Sequence, residues 1–442
     1  MTDNSRYYCS DRMIGFFEKD SIIEYERKDE LNVSTVERGI VHPLKISETN
    51  VPEHDEYGGV TDAKLRFVAA SATQRVNPPH FSSPPPHWYI GANPNCSLNE
   101  VAYVDEEVVF IGAFSKHYGH FILEGLARLW FYLDNNIMNC RAVYIATQAD
   151  DNFLDVLYAF GLKKDQLVKI NAPTQFRKVI IPEQSFRLQD SYHQKYKETI
   201  DQIQRNIPAG SYKKVFFSKE RRNNNRGMGE KPIASVFQRN GYKVIYPEKT
   251  SMLKTLSILK GCDTFVASSG TNAHNAIFLN DQSTCICLNR SEHIHYVQTM
   301  INRMRNLNII YVDAFFSTVP SNWSTGPFLF APTKYLITFF KEQNFNFNER
   351  KLYESFSPFL LNFLIAWGIY YSRTNRANHI EDEETRKRAL DFDGLVLHIT
   401  NDLSHFQIDN SISRFNDRLR TTRLFGFLRS CRAVWRGLRG MS

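Results

Sequence analysis

Apolar runs rich in β-branched and aromatic residues alternate with helical patterns along this chain, most cleanly in its second half. KKVFFS (213–218) predicts a strand, followed by a basic loop, ERRNNNRGMGEK, and a helix through Asn240. YKVIYPE (242–248), a helix to Gly261, CDTFVAS (262–268) and TCICLN (284–289) come next, then a helix around Tyr296 to Leu307 and NIIYVDAF (308–315). Strands joined through helices by short connections predict a doubly wound parallel sheet. The first half repeats the pattern. EEVVFIG (106–112) leads into a helix over HYGHFILEGLARLWFYLDNN (117–136), followed by AVYIAT (142–147), a helix to Gly161, LVKI (167–170), KVIIPE (178–183) and a polar helix from about Ser191 to Asn206. The expected class is α/β, with two Rossmann-like units facing a cleft and a helical C-terminal extension. The expected divisions are 1–105 (part of the first lobe, or irregular), 106–207, 208–320 and 321–442.

Ligands of such sheets lie at the carboxyl ends of strands, where Ser218, Glu248 and Gly270 fall. In SGTNAHNAIF (269–278) a strand breaks into small hydroxylated residues and Gly before a helix-like run. Unpaired N–H groups at such a start suit an anion such as a pyrophosphate, although the same unit also serves as a plain turn. Ser269, Gly270, Thr271, His274 and Asn275 are therefore donor-site candidates, with packing the plainer role for a helical His274. Lys219, Arg221, Arg222, Arg226 and Lys231 face only Glu220 and Glu230 in the basic loop. That loop is either a solvated charge run or a set of cations for a departing diphosphate, which arginines hold bidentately. Glu248 is placed to accept from a ribose or base. Within 117–136, Ile122, Leu126, Leu129, Trp130 and Leu133 form an apolar stripe, and His120, Glu124 and Arg128 lie four apart on the other face. Glu124 and Arg128 make either a surface ion pair or, with His120, a catalytic face. At a helix start the dipole favours a neutral imidazole, the form a general base needs, and Glu124 would orient it or hold an acceptor.

These blocks together resemble glycosyltransferase family 61, of the bacterial capsular and lipopolysaccharide type. EEVVFIG with YGHFILEGLARLW matches the family's entry, and FFSKERRNNNRGMGE, GYKVIYPE and SSGTNAHNAIF follow in the family's order. The resemblance covers roughly Glu106 to Asn308. The chain departs from the family at Lys219, where arginine is usual, and near Leu256, where Glu-Gln is common. The resemblance implies a GT-B-like transferase that moves a hexosyl or pentosyl group from a nucleotide sugar to a glycan or lipid-linked glycan. It implies inversion without metal, His120 or Glu124 as base, and Arg226 as the family's loop arginine. No Asp-x-Asp motif lies in a suitable loop, since Asp391 and Asp393 are far downstream, so no metal and no cofactor beyond the nucleotide sugar are expected. The alternatives are a non-catalytic glycan-binding or assembly protein on the same fold, and a nucleotide-sugar epimerase or hydrolase.

Composition adds location and partners. A chain of 442 residues has room for two to three domains. Seven Cys lack metal-ligand spacing, and the opening MTDNSRYYCSDRM has no apolar core, so a reducing cytoplasm and no secretory signal are expected. The Pro-rich 78–86 reads as an extended connector. The net charge of +7 gathers in residues 414–442, where eight arginines face Asp417 alone. Leu424, Leu428, Cys431, Trp435 and Leu438 share a helical face there, which predicts a helix lying on an anionic membrane at its inner face. A helix docked on the protein body and a nucleic-acid arm are the alternatives, and no nucleic acid is expected. The apolar run 358–371 is too short to span a bilayer.

Overall fold

The computed structural model describes residues 5–46, 56–75, 87–88, 90–91, 98–115, 117–135, 137–146, 151–219, 227–316 and 327–356, together with 359, 362–363 and 366. The connector at 78–86, the arginines of the basic loop, most of the run 358–371 and the tail 414–442 lie outside the described residues.

Six parallel strands form one sheet in the order Arg6–Tyr8, Asn308–Asp313, Thr284–Asn289, Thr264–Ser268, Lys214–Phe217, Lys243–Ile245. From Lys214 onward the chain makes its first strand, adds the second on one side and the third to fifth on the other. The order therefore reverses between Lys214–Phe217 and Thr264–Ser268, the point at which sheets of this kind bind ligands in a crevice outside the carboxyl ends. Alternation along each strand serves two layers. Val215, Phe217, Phe265 and Ala267 enter one core, while Phe216 and Val266 enter another beneath the helices Glu230–Arg239 and Lys334–Glu342.

The second sheet has eight strands, led by a parallel group of Leu167–Lys169, Arg141–Ile145, Ala102–Ala113 and Thr174–Pro182. Val33–Glu37 and Ile40–Ile46 pair antiparallel with Thr174–Pro182, and Glu56–Thr61 with Ile90–Gly91 extends the sheet. Much of the segment 1–105 thus completes the eight-stranded sheet, but Arg6–Tyr8 and the helix Asp11–Ser21 join the six-stranded half. Their anchors are Asp313, whose carboxylate accepts from Ser10 N at 2.8 Å, and Arg303, paired with Asp20 at 2.7 Å.

The halves are not independent bodies. One core contains Val109 and Ile111 from the eight-stranded sheet, Val215 and Phe265 from the six-stranded sheet, and the helices between them. The buried Arg305 reinforces the join: it donates to Ile277 O at 2.7 Å and pairs with Asp201 on the helix Gln194–Arg205.

The expected long helix over 117–136 is broken. A single α turn at Tyr118–His120 passes into a π turn at Phe121–Gly125, then into turns and a short helix, Trp130–Asp134. The predicted polar face is absent as such, because Phe121 to Phe131 are all buried. Segments apolar on every side belong inside a core. Arg128 is not on the surface beside Glu124. It is sealed in the interior, donating to the carbonyls of Pro182, Ala70 and Ala72 at 2.8–3.1 Å, and burial lowers its pKa to about 10.

Candidate functional site

The carboxyl ends of Lys214–Phe217 and Thr264–Ser268 carry the two loops that frame the crevice. Ser218 and Lys219 leave the first strand, and Glu230 returns to clasp them. Its Oε2 accepts from Ser218 Oγ at 2.6 Å and from Lys219 N at 2.9 Å, so the described ends of the basic loop are drawn together here. Arg221, Arg222 and Arg226 lie between those ends, outside the described residues. Glu248 stands exposed in the turn Pro247–Lys249 after the neighbouring strand, as its sequence position predicts.

The second loop is Ser269–Asn272. Asn272 Nδ2 donates to Phe217 O at 2.8 Å, bridging the two strands at the floor of the crevice. Gly270 has φ +98°, and a Cβ there would lie 2.8 Å from Nη2 of Arg290. The expected helix after Gly270 is a short 3-10 turn, Ala273–Phe278, and the N–H groups of Ala273 and His274 already donate to Gly270 O. The N–H groups of Ala273 and His274 are thus already taken. The charge around it comes from side chains.

Those side chains are basic. Arg290 follows Thr284–Asn289; its main-chain N donates to Ser269 Oγ at 3.2 Å and its guanidinium lies 4.3 Å from the Phe328 ring centre. Burial lowers its pKa to about 10. His274 is 8% exposed, and among the described residues neither ring nitrogen has a hydrogen-bond partner. Burial, then the positive charge of Lys219, Arg290, His117 and His120, pushes it down to about 3. The His295 ring lies 6.2 Å away, and its pKa is lowered by burial, then by Arg290, His274, His293 and Lys219. Arg290 and His295 escape notice in the sequence. Arg290 had a legible signal, a cation directly after a strand of the same sheet. The signal for His295, one half of an HIH triplet, was weaker.

The first half meets this loop from above. Tyr118 Oη donates to Asn275 Oδ1 at 2.8 Å, and Asn275 Nδ2 donates to Asn272 O at 2.9 Å. Asn275 is thus a strut between the halves, its carboxamide engaged by protein on both ends. A Cβ on Gly119 would stand 3.0 Å from Thr271 Cγ2, so a side chain here would have to push Thr271 aside by a few tenths of an ångström. One residue on, His120 Nδ1 lies 2.7 Å from Glu124 Oε2, with the imidazole 28% exposed and the carboxylate 4% exposed. The π turn sets this geometry by bringing Glu124 beneath His120. An ionised carboxylate only accepts, so the bond assigns the hydrogen to Nδ1 and leaves the lone pair of the neutral ring on Nε2.

The structure therefore gathers His120, Glu124, Ser269, Gly270, Thr271 and His274 around one crevice, with Glu248 at the next strand end. Among the described residues no group of three or more His, Cys, Asp or Glu has metal-holding geometry, and no helix is long and apolar enough to cross a membrane. A search of curated proteins returns no match. Residues 118–287, under half of the chain, match the family model described as Glycosyltransferase 61. That stretch runs from the His120–Glu124 turn through the Gly270 loop, and the match supports reading this α/β chain as a glycosyltransferase.

Proposed function

We propose that the chain transfers a hexosyl or pentosyl group from a nucleotide sugar to a glycan or lipid-linked glycan acceptor, with inversion and without a metal, in surface polysaccharide assembly. The halves act as GT-B-like units, with the acceptor on the 106–207 side and the donor on the 208–320 side. The observation that carries this reading is the contact of the two turns. Gly119, one residue before the His120–Glu124 pair, sits against Thr271, one residue from Gly270 at the topological crevice. A base and a diphosphate site must be this close for a hydroxyl to attack the anomeric carbon between them.

His120 Nε2 takes the acceptor proton as the new glycosidic bond forms. Glu124, too buried to meet a sugar directly, orients the imidazole and stabilises its charged form. The diphosphate leaves toward Ser269, Gly270, Thr271, His274 and the loop arginines Arg221, Arg222 and Arg226, while Glu248 takes the ribose or base. Cations supplied by the protein do the work otherwise assigned to a divalent ion. The basic tail 414–442 holds the enzyme at the inner face of the membrane beside a lipid-linked acceptor.

The test is release of nucleoside diphosphate from a panel of UDP-, GDP- and ADP-sugars, with and without acceptor glycan and with EDTA present. Acceptor-dependent release that survives EDTA is the expected result. Release without acceptor would make the protein a hydrolase, and binding without release would make it a glycan-binding or assembly protein. Activity lost in EDTA and restored by a divalent ion would overturn the metal-independent mechanism.

A further inference from the structure

Among the described residues, Arg290 and Lys219 bring positive charge to the crevice beside His274. Arg290, Lys219, His274, His295, His117 and His120 act on one another electrostatically, with Glu230 and Glu124 as their acidic neighbours. Positive charge held partly away from water is complementary to an anion. His274 points the same way from independent evidence. A buried imidazole with neither nitrogen bonded among the described residues has a ring N–H that it can donate to a phosphate oxygen.

Arg290 is the group best placed to receive that anion. It lies over the space that the missing side chain of Gly270 leaves, at the carboxyl end of the strand next to the reversal of strand order. Phe328 braces its guanidinium plane from behind. Phe328–Leu329 pairs with Gly227–Met228, the described part of the basic loop after Arg226, so Arg290 stands between that part of the loop and the Gly270 turn. We propose that Arg290, with His274 beside it, is the principal binding group for the diphosphate of the donor, and that Gly270 is glycine to make room for the Arg290 guanidinium. The identity of the anion as a nucleotide diphosphate rests on the glycosyltransferase reading; the anion site itself does not.

Binding of inorganic pyrophosphate, UDP, GDP and the parent nucleosides to the full chain, followed by calorimetry, tests this. Arg290→Gln should weaken pyrophosphate and the preferred nucleoside diphosphate by about 10- to 100-fold, as expected for loss of a charge-assisted bond, and leave nucleoside affinity within a few-fold. Arg290→Lys should recover part of the loss. If Arg290→Gln does not fold, Phe328→Leu keeps the charge while removing its brace, and should weaken the diphosphates several-fold with nucleosides spared. Equal loss of nucleoside and diphosphate would make Arg290 purely structural and overturn the proposal. So would unchanged pyrophosphate binding, or none by the parent protein. Pyrophosphate binding that depends on Arg290 without any nucleotide preference would keep the anion site and defeat the nucleotide-sugar reading instead.

Discussion

Arg128 and His274 show how burial decides what a polar residue does. Three carbonyls depend on the Arg128 guanidinium, so Arg128→Leu leaves them unpaired in the core and should destabilise the fold by roughly 3–5 kcal/mol, measured by chemical denaturation. A change below about 1 kcal/mol would mean that the carbonyls find other partners. His274 carries a pH signature. Its pKa is depressed to about 3 in the folded chain, against 6.5 when free, so below pH 6.5 the unfolded chain binds the proton that the folded chain refuses. Stability should fall as pH drops from 6.5 toward 3, by on the order of 2 kcal/mol at pH 5 from this residue. His274→Gln should flatten the slope of melting temperature against pH, with His295 keeping part of it. An unchanged slope would show that His274 is already charged in the fold. At this scale the sequence was legible where spacing carried the chemistry. His120 and Glu124 meet because they are four residues apart and one turn connects them. Arg128 has the same spacing and went inside, since the pattern around it does not reveal which face is covered on both sides.

The strand–helix alternation from residue 106 to 315 was readable because each strand is a short apolar run flanked by polar residues or glycine. The π turn was not, because a continuous apolar helix pattern carries no mark of one added residue. The 3-10 turn after Gly270 was likewise hidden, since AHNAIF fits either helix type. The seat between the two turns makes an element-scale prediction. Gly119→Ala places a methyl 3.0 Å from Thr271 Cγ2 and should cost about 1 kcal/mol or more through overpacking. Thr271→Ser removes that methyl, and the double variant should recover most of the loss, a coupling read from a double-mutant cycle. Additive losses would place the strain elsewhere, for instance against His117, whose Cε1 lies 3.3 Å away.

Across the whole molecule the two sheets share one core, and the first strand of the chain completes the sheet of the second half. Local patterning does not disclose such pairing, so the role of residues 5–27 was invisible before the fold was seen. A shared core predicts that calorimetric unfolding occurs as one transition. Two well-separated transitions, or a stable isolated fragment 208–320, would contradict it. The same arrangement places His120 on one half and the Gly270 turn on the other, and their proposed roles as base and donor site are the central claim for function. The most direct measurement is donor affinity and turnover of His120→Ala beside the parent protein, using the donor that the panel identifies. Turnover should fall roughly 100-fold or more while donor affinity stays within a few-fold, because the imidazole acts on the acceptor and not on the diphosphate. Near-normal turnover, or matched losses of affinity and turnover, would contradict the account.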